Sequence, residues 1–479
     1  MLERENFREY AHKVADKMAD YLENVEEYDV LSKVKPRQIF DELPLSAPKE
    51  GESMDVILKD FDDIILKGMT HWQHPQFFGY FPANSSPASV LGEMLTATLG
   101  AQCMIWQTSP AAAELEEKTM IWLGEWCGLP KDWHGVIQDT ASAGTLCSIL
   151  TAREKATNFQ SNTKGLAFFD EKFRTYCSDQ THSSIDKAVR IAGIGSDNLI
   201  KIKTDSSFSI DINAFEEQVK KDIQEGCTPL WAVANLGTTS STAFDNVTEM
   251  AKICKKYGIW LHIDAAYAGT VAILPEKRYL FEGIEEGDSY VFNPHKWMFV
   301  NFDCSVYYVK DKGALIRTFE ILPEYLKTGF ESKVNNYRDW GVALGRRFRA
   351  LKLWFVMRNF GLDGIQEKLR LHLSLTDYFT QKIITHSDFE LITNPEVGLV
   401  CFRYFDANKS DEELEKINTQ ILKSLNETGK VFLSHTKLND KYVLRLSIGQ
   451  TYVEKKHIDG FWELLLSVSS EQLSIEKTL

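Results

Sequence analysis

The sequence has no long apolar run, no paired-cysteine motif and no basic block, and each absence removes a class of function. No uninterrupted apolar stretch approaches the roughly 18 residues of a membrane span. The opening Met1-Leu-Glu-Arg-Glu-Asn-Phe carries charges where a secretory leader is apolar. A cytoplasmic protein without a membrane partner is expected. The cysteines at 103, 127, 147, 177, 227, 254, 304 and 401 are scattered, with no C-x-x-C spacing. Free cysteine in apolar surroundings behaves as a small buried hydrophobe, so neither a disulfide framework nor a metal site is expected. Lys and Arg total 54 against 68 Asp and Glu, a net charge of −14, and nothing clusters the basic residues. A nucleic-acid partner therefore lacks its electrostatic footprint. Repeats of about 20–50 residues and low-complexity tracts are also missing.

What is present is globular: 479 residues, 44% of them hydrophobic, enough for a large core and more than one structural unit. Phe7, Ala11, Val14, Met18, Leu22 and Val25 recur at helical spacing and predict an amphipathic helix whose apolar stripe needs a partner. Pro36, Pro44 and Pro48 then break the chain into an extended connector, before a second helical pattern at Ile57, Phe61, Ile64 and Ile65. From about residue 85 to 315, helical patterns alternate with short apolar runs: Gly165-Leu-Ala-Phe-Phe, Leu230-Trp-Ala-Val-Ala, Ile259-Trp-Leu-His-Ile and Tyr290-Val-Phe. Short continuous apolar runs suit strands buried on both faces of a mostly parallel sheet, which is α/β architecture. Beyond residue 360 come a helix, the run Gly398-Leu-Val-Cys-Phe-Arg-Tyr, a charged helix near Asp411–Leu425 and Tyr442-Val-Leu-Arg-Leu-Ser-Ile, which predict a small α+β domain. The expected division is 1–84, an N-terminal helical segment; 85–360, the large α/β domain; and 361–479.

The residues that carry chemistry follow the apolar runs. In Ser289-Tyr-Val-Phe-Asn-Pro-His-Lys-Trp297 a strand ends in Asn-Pro and delivers Lys296 where ligands of α/β sheets bind, a position suited to an imine. The plainer reading is a surface charge. In His262-Ile-Asp-Ala-Ala-Tyr-Ala-Gly269 another strand ends at Asp264, a carboxylate able to keep a pyridine nitrogen protonated or, more plainly, to cap a loop. Thr140-Ala-Ser-Ala-Gly-Thr145 leads small residues into a helix, so that Ala141 and Ser142 offer backbone N–H groups to a phosphate; small residues also begin helices for packing reasons. His182, in Tyr176-Cys-Ser-Asp-Gln-Thr-His, is placed to stack on a cofactor ring or to serve structure. Thr239, in Leu236-Gly-Thr-Thr, is placed to bond a cofactor or to shape a turn.

Taken in the order Ser142, His182, Thr239, Asp264, Lys296, these elements resemble the group II pyridoxal-phosphate decarboxylases, specifically the aromatic L-amino acid decarboxylases. The likeness extends to Thr70-His-Trp, Phe77-Phe-Gly-Tyr-Phe-Pro82, Trp106-Gln-Thr-Ser-Pro110, Asn293-Pro-His-Lys-Trp-Met-Phe-Val-Asn-Phe-Asp-Cys304 and Leu344-Gly-Arg-Arg-Phe-Arg349. The resemblance implies the aspartate-aminotransferase-like fold (fold type I of the pyridoxal-phosphate-dependent transferases). It also implies a homodimer whose N-terminal helices embrace the partner and whose active sites lie at the interface. By the same match Lys296 is the Schiff-base lysine, Asp264 pairs with the pyridine nitrogen and His182 stacks on the ring. Ala141, Ser142, Thr239 and Asn293 hold the cofactor, while Pro82 and His295 lie near substrate. Tyr325, in Leu322-Pro-Glu-Tyr-Leu-Lys327, falls on a loop expected to close over the site and protonates Cα after carbon dioxide leaves.

Relatives that form aldehydes with oxygen resemble this chain with Phe at the tyrosine or Asn at the histidine; Tyr325 and His182 favour simple decarboxylation. Glycine at 345 goes with indolic substrates in the plant branch and is shared with animal dopa decarboxylases, which points to tryptophan, 5-hydroxytryptophan or dopa over tyrosine. The chain departs from the animal enzymes at Phe81-Pro-Ala-Asn-Ser-Ser, where a threonine after the proline is missing, and Gln102 and Met104 leave ring selection open. The rival readings are an aromatic aldehyde synthase, a decarboxylase of a non-aromatic amino acid such as glutamate, and a silent scaffold that has kept the fold.

Overall fold

The computed structural model describes residues 4–321 and 333–476. In chain order, helices α1 (Phe7–Glu23), α2 (Gln38–Glu42), α3 (Met54–Asp60), α4 (Pro87–Leu99) and α5 (Pro110–Cys127) come first. Strands and helices then alternate: β1 (His134–Gln138), α6 (Ala141–Ala156), α7 (Ser161–Lys164), β2 (Lys172–Ser178), α8 (Ser184–Ile191), β3 (Leu199–Ile202), α9 (Ile212–Gln224) and β4 (Cys227–Asn235). Next are α10 (Val247–Tyr257), β5 (Trp260–Asp264), β6 (Ser289–Phe292), α11 (Pro294–Trp297), β7 (Ser305–Val309) and α12 (Lys312–Phe319). The remainder is α13 (Arg349–Thr385), β8 (Phe389–Leu391), β9 (Leu399–Tyr404), α14 (Asp411–Glu427), β10 (Ser434–Leu438), β11 (Lys441–Ser447) and α15 (Lys455–Glu476). These pack as two compact units, one of Ala83–Thr376 with Thr393–Leu399, the other of Met1–Pro82, Asp377–Ile392 and Val400–Leu479.

The larger unit is built on a seven-stranded sheet in the order β1-β7-β6-β5-β4-β2-β3. The pairings from β6 to β3 are parallel, and β7 runs antiparallel to both β6 and β1. Two reversals restore direction, so β1 points the same way as β6, β5, β4 and β2. Strands inside such a sheet are covered on both faces, which is why Trp231, Val233, Ile263, Tyr290, Val291 and Phe292 are all fully buried and why their sequences read as continuous apolar runs. Helix starts are marked by side-chain caps: Thr140 Oγ1 accepts from Ala143 N–H at 3.4 Å, and Asp211 Oδ1 from Ala214 N–H at 3.0 Å.

One expected strand is absent. Gly165-Leu-Ala-Phe-Phe forms a 3-10 turn at Leu166–Phe168, with Gly165 at φ +74 and Phe168 exposed. The strand that takes this place is Lys172–Ser178, where Arg174 and Thr175 interrupt the apolar pattern and hide it from a search for continuous runs.

The smaller unit carries a four-stranded sheet in the order β10-β11-β9-β8. Phe78 extends it, donating to Phe432 O at 2.8 Å and accepting from Ser447 N–H at 3.0 Å. Residues 1–82 thus pack with the C-terminal residues, although the sequence set them apart. Gly361 at φ +65 interrupts α13, and the helix beyond it belongs to the larger unit as far as Thr376, its last residues from Asp377 on belonging to the smaller one. Gln366 Nε2 donates to Ile273 O and Trp297 Nε1 to His372 Nδ1, each at 2.9 Å. No residue of α1 is fully buried; Tyr10 and Lys13 reach Asp55, Tyr21 reaches His71, and Phe7 stays exposed. The predicted stripe is therefore only half covered by its own chain.

Gly269 sets a packing limit beside the strand ends, because a Cβ there would collide with Phe292 and come within 2.8 Å of the Tyr290 hydroxyl. Gly269→Ala is expected to destabilise the protein by about 1–3 kcal/mol. A lowered urea midpoint at unchanged slope would show it, and a parental midpoint would refute the close approach.

Candidate active site

The carboxyl ends of β1, β6, β5, β4 and β2 emerge along one edge of the large sheet, and each hands over to a candidate residue. Neighbouring strands lie about 4.8 Å apart, so residues just past adjacent ends fall within a few ångströms of a common ligand. Beyond β6, Asn293 precedes the single turn of α11, with Pro294 at its first position and Lys296 at its third. Such a turn leaves its carbonyls without partners. Asn84 supplies them: its N–H donates to His295 O at 3.1 Å and its Nδ2 to Lys296 O at 2.8 Å. Trp297 stacks on Tyr267 at 4.7 Å with planes 5° apart. The backbone on both sides of Lys296 is thus fixed, and its half-buried side chain is presented at the sheet edge.

The strand ends are also zipped together past the ladder. Leu236 N–H donates to Asp264 O at 2.8 Å, Ala265 N–H to Val291 O at 2.9 Å and Asn293 N–H to Ala266 O at 3.1 Å. Asp264 is almost buried, and one carboxylate oxygen accepts from Ala266 N–H at 2.9 Å, which orients the group. Burial lowers the Lys296 pKa, with the Asp264 charge opposing the shift. Desolvation therefore favours a neutral amine, the form that attacks a carbonyl.

His182 follows β2. Ser184 N–H, which can only donate, points at its Nδ1 from 3.1 Å, so in the neutral ring the proton sits on Nε2. Desolvation first, and then the charge of Lys296, lower its pKa while Asp264 opposes. His295 is buried; its Nδ1 accepts from Cys304 N–H at 2.9 Å and its ring lies 4.7 Å from Phe302. Desolvation pushes it down to about 3. Ala141 and Ser142 form the first turn of α6, whose leading N–H groups have no intrahelical acceptor. Thr239 sits in the turn after β4. Asn293 Oδ1 is buried with no hydrogen-bond partner among the described residues.

Of the remaining candidates, Gly345 is exposed beside Gln102, Pro82 is the last residue of the smaller unit's first segment, and Tyr325 lies outside the described residues. Sequence reasoning missed Asn84, and it missed Asn235 and Asp245. Asn235 Nδ2 donates to Thr181 Oγ1 at 2.9 Å and to Asp245 Oδ2 at 3.1 Å, bracing the turn that carries His182. The only signal for them was polar residues placed just past apolar runs.

The buried histidines give a pH dependence. His295 and His262 have folded values near 3 against an ordinary 6.5. Between those values the unfolded chain takes up protons that the folded one refuses, so the stability present above pH 6.5 is lost progressively as the pH falls. In His295→Asn the amide oxygen replaces Nδ1 as acceptor and the titration disappears. Its unfolding free energy is expected to fall less steeply across that window, by about 1.4 kcal/mol per pH unit. Superimposable acid limbs in urea titrations would contradict this.

Comparison with known proteins agrees with the geometry. A family model described as the pyridoxal-dependent decarboxylase conserved domain matches residues 36–405. The chain is 40% identical to tryptophan decarboxylase 2 of Oryza sativa subsp. japonica, over 98% of this chain and 96% of the relative. It is 41% identical to tyrosine decarboxylase 2 of Narcissus pseudonarcissus, over 97% and 94%, and 41% identical to phenylacetaldehyde synthase of Arabidopsis thaliana, over 98% and 97%. The crystal structure of Oryza sativa TDC with PLP and tryptamine superposes with a TM-score of 0.95 at 35% identity, covering 98% of this chain and 99% of that one. The chain therefore belongs to the pyridoxal-dependent decarboxylase family, within its aromatic amino acid decarboxylase and aldehyde synthase branch, and its cofactor is pyridoxal phosphate.

Proposed function

We propose that the protein decarboxylates an aromatic L-amino acid, preferring tryptophan, 5-hydroxytryptophan or dopa to tyrosine, and releases the arylalkylamine and carbon dioxide. The observation that carries this reading is the meeting, along one sheet edge, of a desolvated lysine, an oriented carboxylate and a neutral imidazole. The residues present fit pyridoxal phosphate. The first turn of α6 offers backbone N–H groups to its phosphate, Asp264 faces the need of its ring nitrogen for a proton, and the orphaned Asn293 Oδ1 is an acceptor costly to leave empty. When bound, the cofactor supplies an electron sink for the bond broken at Cα.

The protein's own part is binding, orientation and proton placement. Lys296 holds the cofactor through its amine, with Ala141, Ser142, Thr239 and Asn293 as further holders. Asp264 keeps the ring nitrogen charged. His182, neutral and with its proton on Nε2, would adjoin the cofactor ring and the substrate carboxylate, so that binding would select the bond that breaks. By the family match, Pro82 and His295 are the residues assigned to substrate, and Tyr325 is the one that would deliver the proton to Cα. At Gly345 a side chain would meet Gln102 Nε2 at 3.2 Å, so glycine leaves space for a two-ring or catechol side chain.

The unit of function in this reading is a homodimer. On α4, Leu91, Met94, Leu95 and Leu99 recur at helical spacing and are 36–63% exposed, an apolar stripe that a second copy would cover. Light scattering is expected to give twice the chain mass, and a monomer that remains fully active would remove this part of the reading.

The deciding experiment incubates the cofactor-loaded protein with tryptophan, 5-hydroxytryptophan, dopa, tyrosine, phenylalanine, histidine and glutamate while amine, carbon dioxide and peroxide are followed together. Amine and carbon dioxide in equal amounts from an indolic or catechol substrate, without peroxide, are expected. Aldehyde with peroxide would move the protein to the oxidative activity that the phenylacetaldehyde synthase relative is named for; activity on glutamate alone would overturn the aromatic assignment. In the same assay Tyr325→Phe is expected to divert turnover to aldehyde, ammonia and peroxide at the expense of oxygen and water. Unchanged amine yield would remove Tyr325 from its role.

A further inference from the structure

Helix α6 lies close on the sheet: a Cβ at Gly144 would come to 3.0 Å from Val291 Cγ2 and 3.3 Å from Tyr307 Cδ2. Immediately beyond it, a layer that ought to be apolar holds four polar side chains, Thr145 and Ser148 from α6, His262 from β5 and Ser289 from β6, each at most 1% exposed. They form one continuous chain. Thr145 Oγ1 lies 3.1 Å from His262 Nε2, His262 Nδ1 lies 2.9 Å from Ser289 Oγ, and Ser289 Oγ lies 2.9 Å from Ser148 Oγ. The indoles of Trp231 and Trp260 close it, donating to Ser148 Oγ at 2.9 and 3.0 Å, and Trp260 also donates to Ser289 Oγ at 3.0 Å.

A neutral imidazole has one donating and one accepting nitrogen, and a hydroxyl serves either role, so His262 is satisfied on both sides. Its burial keeps it neutral. Apolar side chains of similar volume would pack this layer without desolvating so many polar groups. What a hydrogen-bonded chain adds is direction and length: it resists sliding of α6 along the strands, which close-packed methyl groups resist less specifically. The elements it joins are the ones that face the cofactor. The first turn of α6 carries Ala141 and Ser142, Asp264 stands two residues beyond His262 on the same face of β5, and β6 leads from Ser289 to Asn293 and Lys296.

We propose that His262 is a positioning residue for pyridoxal phosphate, locking the register of α6 against β5 and β6 and thereby the span between the phosphate-holding turn and Asp264. The proposal rests on the cofactor assignments made above for Ala141, Ser142 and Asp264. None of the four side chains touches cofactor; they act through the elements that do.

The test strips and restores cofactor and reads its dissociation constant from the visible absorbance, apart from any activity. Thr145→Val and Ser289→Ala, which cut the chain on either side of the imidazole at little change in volume, are each expected to weaken pyridoxal phosphate binding about tenfold. The double variant should lose much less than the product of the two, since both act through one ring. Thr145→Ser should restore parental affinity. Parental affinity in both single variants, with only the urea midpoint lowered, would reduce the chain to a structural role and overturn the proposal. Asp264→Asn separates the two levels of the argument. A weakened, spectrally shifted Asp264→Asn beside parental Thr145→Val and Ser289→Ala defeats the positioning role alone. Parental binding and spectrum in Asp264→Asn defeats the assignment of Asp264 to the cofactor and the proposal that rests on it.

Discussion

The larger unit depends on one constraint: an amine and a carboxylate must both be kept from bulk water at the edge of a sheet without neutralising each other's purpose. Full desolvation of an isolated charge is prohibitive, so such groups shift their protonation or find partners. Here the lysine yields, its pKa lowered by burial with Asp264 only partly opposing, while the carboxylate is tied by a backbone N–H of the following turn. The balance holds the amine and the carboxylate at the ends of adjacent strands. It survives only if the strand ends cannot drift, which is what the hydrogen bonds from Leu236, Ala265 and Asn293 past the ends of the ladder secure.

Loops that carry reacting groups need polar anchors, because their backbone groups fall outside the ladders. The anchors here are side chains with several hydrogen-bonding atoms. Asn84 occupies two successive carbonyls, that of His295 with its backbone N–H and that of Lys296 with its side-chain amide. Asp245 is fully inside the protein and accepts from Asn235 N–H at 2.7 Å and Ile210 N–H at 2.7 Å; burial still raises it to about 6 against the pull of those bonds. The turn before His182 is thus braced through Asn235 by a buried carboxyl group.

Lys296, Asp264 and the start of α6 were legible in the sequence because strands buried on both faces read as unbroken apolar runs, and a polar residue that ends such a run stands out. The same rule misled at Gly165–Phe169, where an apolar run proved to be a turn, and it passed over Lys172–Ser178, whose strand carries Arg174 and Thr175. Asn84 carried only the faint signal of a polar residue past an apolar run: its pairing lies 212 residues away at Lys296, and no local period encodes a pairing made by tertiary approach. The grouping of residues 1–82 with the C-terminal strands was hidden for the same reason, since the bonds of Phe78 to Phe432 and Ser447 join stretches more than 350 residues apart. His262 was visible only as part of an apolar run that contained it, and nothing in the spacing announced that its two nitrogens would face hydroxyls from separate elements.

In the proposed reading, substrate choice turns on how firmly Gly345 is held. Its neighbour Arg346 is buried and donates from its guanidinium to Glu116 at 2.5 Å and to Ile137 O at 3.0 Å, while Glu116 also accepts from Ile137 N–H at 2.8 Å. Breaking such a buried pair by removing one partner costs about 3–5 kcal/mol, so the segment is not free to move aside. Arg346 N–H in turn donates to Gln102 Oε1 at 2.8 Å, which fixes the amide that stands opposite Gly345. A side chain introduced at 345 would therefore act by pressing on Gln102 and displacing its bond to Arg346, and not by shifting the loop. Size at 345 and the orientation of Gln102 are then one coupled determinant, and substitutions at the two positions should be non-additive in their effect on which ring is accepted.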